Sequence, residues 1–149
     1  MCKIFRKIIN KVKPTTVQPV NRPKTILPDV LINLIKSSEG LRLTSYYDAT
    51  GVLTIGWGHT GSDVHIGQII TLEEANSMLN SDILLFWNAI KKNSKITLND
   101  NQMSALTSFA YNLGMNNLLS STLWRMVNEG NFIGASEQFG RWIYAGGKV

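Results

Sequence analysis

Residues 41–60, LRLTSYYDATGVLTIGWGHT, break the pattern of everything around them. On either side, apolar residues recur at helical spacing. Inside the segment they alternate, and Thr, Tyr, Ile and Trp replace the usual helix formers. A period of two sends neighbours to opposite faces of a strand, whereas a period of 3.6 winds them onto one stripe of a helix. The segment therefore predicts a small antiparallel hairpin or three-stranded sheet, turned at Ala49-Thr50-Gly51. With helices before and after it, the expected class is α+β, mostly helical.

The helical boundaries are written in caps and breakers. "DVLINLIKSSEG" has Val30, Leu31, Leu34 and Ile35 at helical spacing, opened by Asp29 and closed near Gly40. Thr71 followed by Glu74 is a capping box that opens a helix to about Lys91. Asn99 with Gln102 opens another, through Tyr111 to a stop at Gly114. A Ser121-capped helix ends at Gly130, and a last one runs from about Phe132 to Tyr144. No internal repeat is visible.

Charge divides the chain. The 149 residues carry a formal +5, but residues 1–24 hold seven basic side chains and no acid. The rest holds eight basic residues against all ten acids, so a basic nucleic-acid-binding face is not expected on the domain. In "MCKIFRKIINKVK", Ile4, Phe5, Ile8, Ile9 and Val12 form one stripe opposite Lys and Arg. That is the pattern of a helix lying in a membrane interface, with a solvated tail or a docked helix as the alternatives. All four prolines fall in residues 14–28, read as a linker, which leaves 29–149 as the folded domain. No apolar run approaches the roughly 20 residues of a membrane span. The single cysteine, Cys2, excludes an internal disulfide, and with only His59 and His65 beside it no metal site or cofactor is expected.

Three side chains in and beside the exceptional segment could share a cleft. Glu39 sits where a helix ends, Asp48 beside the hairpin turn, and Thr54 on the returning strand. Two carboxyls in different environments can hold different protonation states, one an acid and one a base, as glycosidic hydrolysis requires. A Thr hydroxyl both donates and accepts, so it can hold a water against the base. Capping and ordinary solvated charge are the competing readings of such residues near turns.

The motif around them narrows the choice. Glu39-Gly40, Tyr46-Tyr47-Asp48, Gly51 and Thr54-Ile55-Gly56-Trp57-Gly58-His59 resemble the catalytic signature of the phage-type (T4-like) lysozymes and endolysins, glycoside hydrolase family 24. Downstream, "SFAYNLG", "SSTLWRMVNEGNFIGASEQF" and "RWIYAGGK" resemble the endolysin branch of the lambdoid phage 21, so the likeness covers roughly residues 30–148. It implies a lysozyme-like fold whose β element flanks the cleft. It implies Glu39 as proton donor, Asp48 as base or charge stabiliser, and Thr54 as the residue that positions water. Inversion is the favoured outcome, with the carboxyls roughly 6.5–9.5 Å apart to admit that water.

The resemblance also suggests that His59 pairs structurally with Asp82 rather than acting as a base; His65 is read as a solvated loop residue. Tyr111 is a candidate for the saccharide cleft, with core packing as its alternative; Trp87, Trp124 and Trp142 are expected in the core. In the relatives "AGGK" leads into a Gly-Leu-x-x-Arg-Arg segment and a final helix, so the sequence ending at Val149 reads as truncated. The implied substrate is peptidoglycan, cut at the β-1,4 bond between N-acetylmuramic acid and N-acetylglucosamine, with lysis of the host. A monomer is expected, held in the host cytoplasm until a holin pore admits it to the wall. Other readings are a cationic membrane-disrupting protein acting through residues 1–13 on phospholipid or lipopolysaccharide, an inactive relic that only binds glycan, and a transglycosylase.

Overall fold

The computed structural model describes residues 26–145, with side chains as far as Gly140. The amphipathic segment 1–13 with Cys2, most of the proline-rich stretch, the Trp142 side chain and the last four residues lie outside what is described. The fold is α+β. Helix α1 (Asp29–Ser38) leads into strands β1 (Arg42–Tyr47) and β2 (Leu53–Gly56), and five helices follow: α2 (Leu72–Asn93), α3 (Asp100–Leu113), α4 (Met115–Leu119), α5 (Thr122–Asn128) and α6 (Phe132–Ala145).

Helix α1 buries a narrower stripe than its sequence suggests. Leu31 and Ile35 are fully buried, whereas Val30 and Leu34, one residue earlier in each turn, stay exposed. Leu27 continues the inner stripe at the same four-residue spacing and is itself core, while Pro28, extended at φ −62°, takes the N-cap position. The folded unit is thus already packed at Leu27. The helix ends because Ser37 and Ser38 turn their hydroxyls back onto the carbonyls of Leu34 and Ile35. Side-chain bonds of this kind compete with helical continuation. Glu39, at φ −107° and ψ 139°, then turns the chain into the hairpin.

Of the hairpin and the three-stranded sheet, the described residues form the hairpin, a two-stranded sheet. β1 and β2 are antiparallel, pairing Arg42 with Gly56, Tyr46 with Thr54 and Tyr47 with Leu53. Between Arg42 and Tyr46 the register shifts, because β1 holds more residues than β2 there. Such a bulge bends and twists its strand. The incoming residues 68–70 meet β1 in a single Thr44–Ile69 bridge, with Ser45 donating to Gln68 and Ile70 donating to Leu43, each at 2.9 Å.

Caps fix the longer helices as the sequence predicts. Thr71 Oγ1 accepts the Glu74 N–H at 3.1 Å, and Glu74 returns to the Thr71 N–H at 2.7 Å. Asn99 and Gln102 repeat the exchange at 2.9 Å both ways, and Ser121 caps α5 through the Trp124 N–H at 3.0 Å. Thr71→Ala removes an acceptor for an otherwise unpaired helical N–H, so it is expected to cost about 1 kcal/mol, read as a fall in the calorimetric melting temperature. Helix α4 has no such sequence mark. It follows directly from Gly114, which at φ 92° ends α3 and redirects the chain within one residue.

Two cores result. The larger includes Leu31, Ile35, Leu79, Ile83, Trp87, Phe109, Leu118, Leu123 and Trp124, and the smaller gathers Ile55, Val64, Ile70 and Ala75 beside the hairpin. Trp57 packs against both, so the turn after β2 lies where they meet. No described helix is long and apolar enough to cross a membrane.

Candidate active site

Glu39, Asp48 and Thr54 reach the hairpin region from three local structures, and each environment is distinct. Glu39 is the C-cap of α1, and its carboxylate lies against the turn that follows β2. A side-chain carbon built on Gly58 would stand 3.4 Å from Glu39 Oε2. Gly58 also has φ +89°, a left-handed backbone conformation that favours glycine there. The carboxyl is half-buried, and burial raises its pKa above the usual glutamate range. Among the described residues no ion pair or side-chain hydrogen bond to it offsets that desolvation. The environment favours the protonated form.

Asp48 is set the opposite way. Its Oδ1 accepts from the Thr50 N–H and hydroxyl, both at 2.8 Å, and from the Val52 N–H at 2.9 Å. The Val52 N–H, followed by the Thr50 hydroxyl, holds this carboxyl below its ordinary pKa against a smaller effect of desolvation. Three donors to one oxygen stabilise the anion and fix the rotamer.

Val52 joins this carboxylate to Thr54. Its carbonyl accepts from the Asp48 N–H at 2.9 Å and from the Thr54 hydroxyl at 2.9 Å. Thr54 is buried, so its hydroxyl proton is committed to the strand and its oxygen retains only acceptor capacity.

The turn between β2 and His59 is closed by a reciprocal pair, Ile55 N–H to His59 C=O and the reverse, both at 2.9 Å. His59 Nδ1 lies 2.8 Å from Asp82 on α2, and its Nε2 lies 3.1 Å from Asp63. The hydrogen bond to Asp82 is the largest influence on the imidazole and outweighs its desolvation, raising the pKa to about 9. At neutral pH both ring nitrogens therefore carry protons and donate. An imidazolium spent on two carboxylates is not available as a base, and the pair ties the turn to α2.

A consequence for stability follows. The folded pKa of about 9 exceeds the unfolded value of about 6.5. The contribution is fully present below about pH 6.5 and is lost as pH rises through 9, with an upper bound of about 3 kcal/mol. The melting temperature is expected to fall between pH 7 and 9.5 in the native protein, and to fall much less over that range in Asp82→Asn. Parallel curves for the two proteins would reject the charged pair.

Tyr111 lies partly buried on α3, its ring 5.7 Å from that of Phe86, and its hydroxyl donates to the Trp57 carbonyl at 3.0 Å. Burial raises the phenol pKa, with the charges of Asp82 and Glu39 adding to the effect. His65 is exposed. Trp87 and Trp124 are core.

Several further residues partner these side chains. Thr50 was recoverable from the Asp-x-Thr spelling of a turn in which a side-chain oxygen caps nearby N–H groups. Asp63, Asn76 and Lys36 carry no such mark, because only the fold brings them to His59 or Trp57. Among the described residues no cluster of His, Cys, Asp and Glu could hold a metal ion. A hollow of about 390 Å³ lies elsewhere, beside Lys95, Trp124 and Arg125. Its polar lining is largely satisfied internally, with Arg125 on Glu129 at 3.0 Å and Asn128 accepting from the Lys95 N–H at 2.7 Å.

A hairpin set into a helical body is a lysozyme-type fold. The structure aligns with the muramidase domain of SpmX from Asticaccaulis excentricus at a TM-score of 0.72 and 34% identity, covering 78% of this chain and 79% of that one. The phage lysozyme family model matches residues 36–149. The chain belongs to the phage lysozyme family. The endolysin of Bacillus phage B103 is 46% identical over 120 residues, which is 79% of this chain and 46% of that protein. The SAR-endolysin of Enterobacteria phage P21 is 39% identical over 110 residues, 74% of this chain and 67% of that protein. The chain thus spans about half the length of the Bacillus phage relative.

Proposed function

We propose that this chain is an endolysin that hydrolyses the β-1,4 bond between N-acetylmuramic acid and N-acetylglucosamine in peptidoglycan. The observation that carries the reading is the opposed tuning of two carboxyls: Glu39 pushed towards its acid form by burial, and Asp48 held as an anion by three donors.

In this mechanism Glu39 gives its proton to the glycosidic oxygen as the bond from the anomeric carbon breaks and positive charge develops on the sugar ring. Asp48 takes a proton from the attacking water. Because the Thr54 hydroxyl donates to Val52, Thr54 can only accept from that water. A water that donates one hydrogen bond to Asp48 and one to Thr54 keeps a lone pair free for the anomeric carbon, and on attack transfers only the proton facing Asp48. The anomeric configuration then inverts, and the carboxyls end in swapped protonation states. A monomer suffices, since every group invoked comes from one chain. The route to the wall, in this reading, is from the host cytoplasm through a holin pore, with lysis as the outcome.

The test is product analysis on purified peptidoglycan in ¹⁸O-labelled water. Hydrolysis places one ¹⁸O at each new muramic reducing end, and inversion gives the α-anomer first by proton NMR. Anhydro-muramic ends without label would replace this reading with a transglycosylase.

A further inference from the structure

Trp57 lies within the signature segment, yet the mechanism above makes no use of it. It is nevertheless held from three helices at once. Tyr111 of α3 donates to its carbonyl at 3.0 Å, its indole Nε1–H donates to Asn76 of α2 at 3.1 Å, and Lys36 of α1 places its ammonium 5.2 Å from the ring centre. The next residue is Gly58, whose α-carbon faces Glu39 Oε2. Its predecessor, Gly56, packs against Ala75 of α2.

We propose that Tyr111 and Asn76 are positioning residues: by clamping Trp57 they hold Gly58 against the Glu39 carboxyl and keep water away from it. The inference rests on the reading of Glu39 as proton donor and adds the device that keeps its environment dry. Its physical basis is that a peptide carries no side chain of its own to fix it. The Trp57–Gly58 peptide belongs to a turn with two left-handed glycines, where the backbone is at its most permissive. The Tyr111 hydroxyl and the Asn76 amide replace that missing constraint with directional bonds from rigid helices. A tyrosine is needed at 111 because phenylalanine would keep the packing on Phe86 and lose the bond to Trp57.

The alternative sources of the Glu39 environment are the charged and titratable groups of the surrounding elements. These are Lys36 on α1, Arg42, Tyr46 and Asp48 on the hairpin, His59 and Asp63 on the turn, Asp82 on α2 and Tyr111 on α3. Among the described residues none of them is bonded to Glu39, and burial alone accounts for the direction of its shift.

The experiment follows the Glu39 carboxyl directly by ¹³C NMR titration of glutamate-labelled protein, its signal assigned by loss in Glu39→Gln. The native protein, Tyr111→Phe and Asn76→Ala are compared, with kcat/KM on peptidoglycan recorded against pH for each. In both variants the Glu39 midpoint is expected to fall towards the ordinary glutamate value. The alkaline limb of kcat/KM should move down by the same amount, with the rate at neutral pH falling roughly three- to tenfold. Folded variants that lose thermal stability but keep the native Glu39 midpoint would overturn the proposal and leave ordinary structural bonds. A shifted midpoint with an unmoved alkaline limb would uphold the clamp and instead overturn Glu39 as the proton donor.

Discussion

Glu39→Gln is expected to lower kcat/KM on peptidoglycan by about 10²–10⁴-fold while leaving the melting temperature at neutral pH unchanged or slightly higher. The activity loss follows from chemistry, since an amide of the same shape has no proton to give the leaving oxygen. The stability result follows from the sign of the shift. Burial raises the folded pKa of Glu39, so its ionised form is less favourable in the folded chain than in the unfolded one. Above its unfolded pKa the carboxyl therefore opposes folding, and a neutral side chain removes that penalty. Groups tuned for chemistry commonly carry such a cost. In the native protein the alkaline limb of kcat/KM should lie above the ordinary glutamate range, because activity needs Glu39 protonated. A folded Glu39→Gln protein that cleaves at the native rate would remove Glu39 from the mechanism.

Asp48→Asn is expected to cost about 10²–10³-fold in kcat/KM with little change in fold. The asparagine carbonyl can accept the same three bonds from Val52 and Thr50 that Asp48 Oδ1 accepts now. What disappears is the negative charge that takes the proton from water. The acidic limb should vanish with it, since that limb reports protonation of a carboxyl held below its usual pKa. Thr50→Val provides the graded control. It removes the hydroxyl donor and raises the Asp48 pKa, so the acidic limb should move to higher pH while the plateau rate persists. A pH profile of Thr50→Val identical to native would show that Asp48 does not set that limb. Native activity in Asp48→Asn would favour a mechanism without a base.

Much of this was legible from spelling alone, and particular residues show why. Thr71–Glu74, Asn99–Gln102 and Ser121 mark helix starts because a cap acts over three residues, within reach of local sequence. The hairpin is legible because a period of two is incompatible with a helix. Of the two alternatives, the hairpin is the one formed, and the Thr44–Ile69 bridge and the bulge in β1 are announced by no local pattern. Val30 and Leu34 share helical spacing with Leu31 and Ile35, and only the packing partners of α1 decide which pair is inside.

The candidate site divides along the same line. The sequence by itself determined the class, the helix caps, the hairpin turn, and which carboxyls are candidates, because motif and periodicity are properties of neighbours in the chain. The tertiary structure alone decided the environments of those carboxyls. Glu39 lies against a glycine nineteen residues away, and Trp57 is bonded by a tyrosine 54 residues away. His59 is held between Asp63 and Asp82, the second of them 23 residues distant. Proton affinity depends on burial and on charges within a few ångströms, and those distances exist only once the helices have closed around the hairpin.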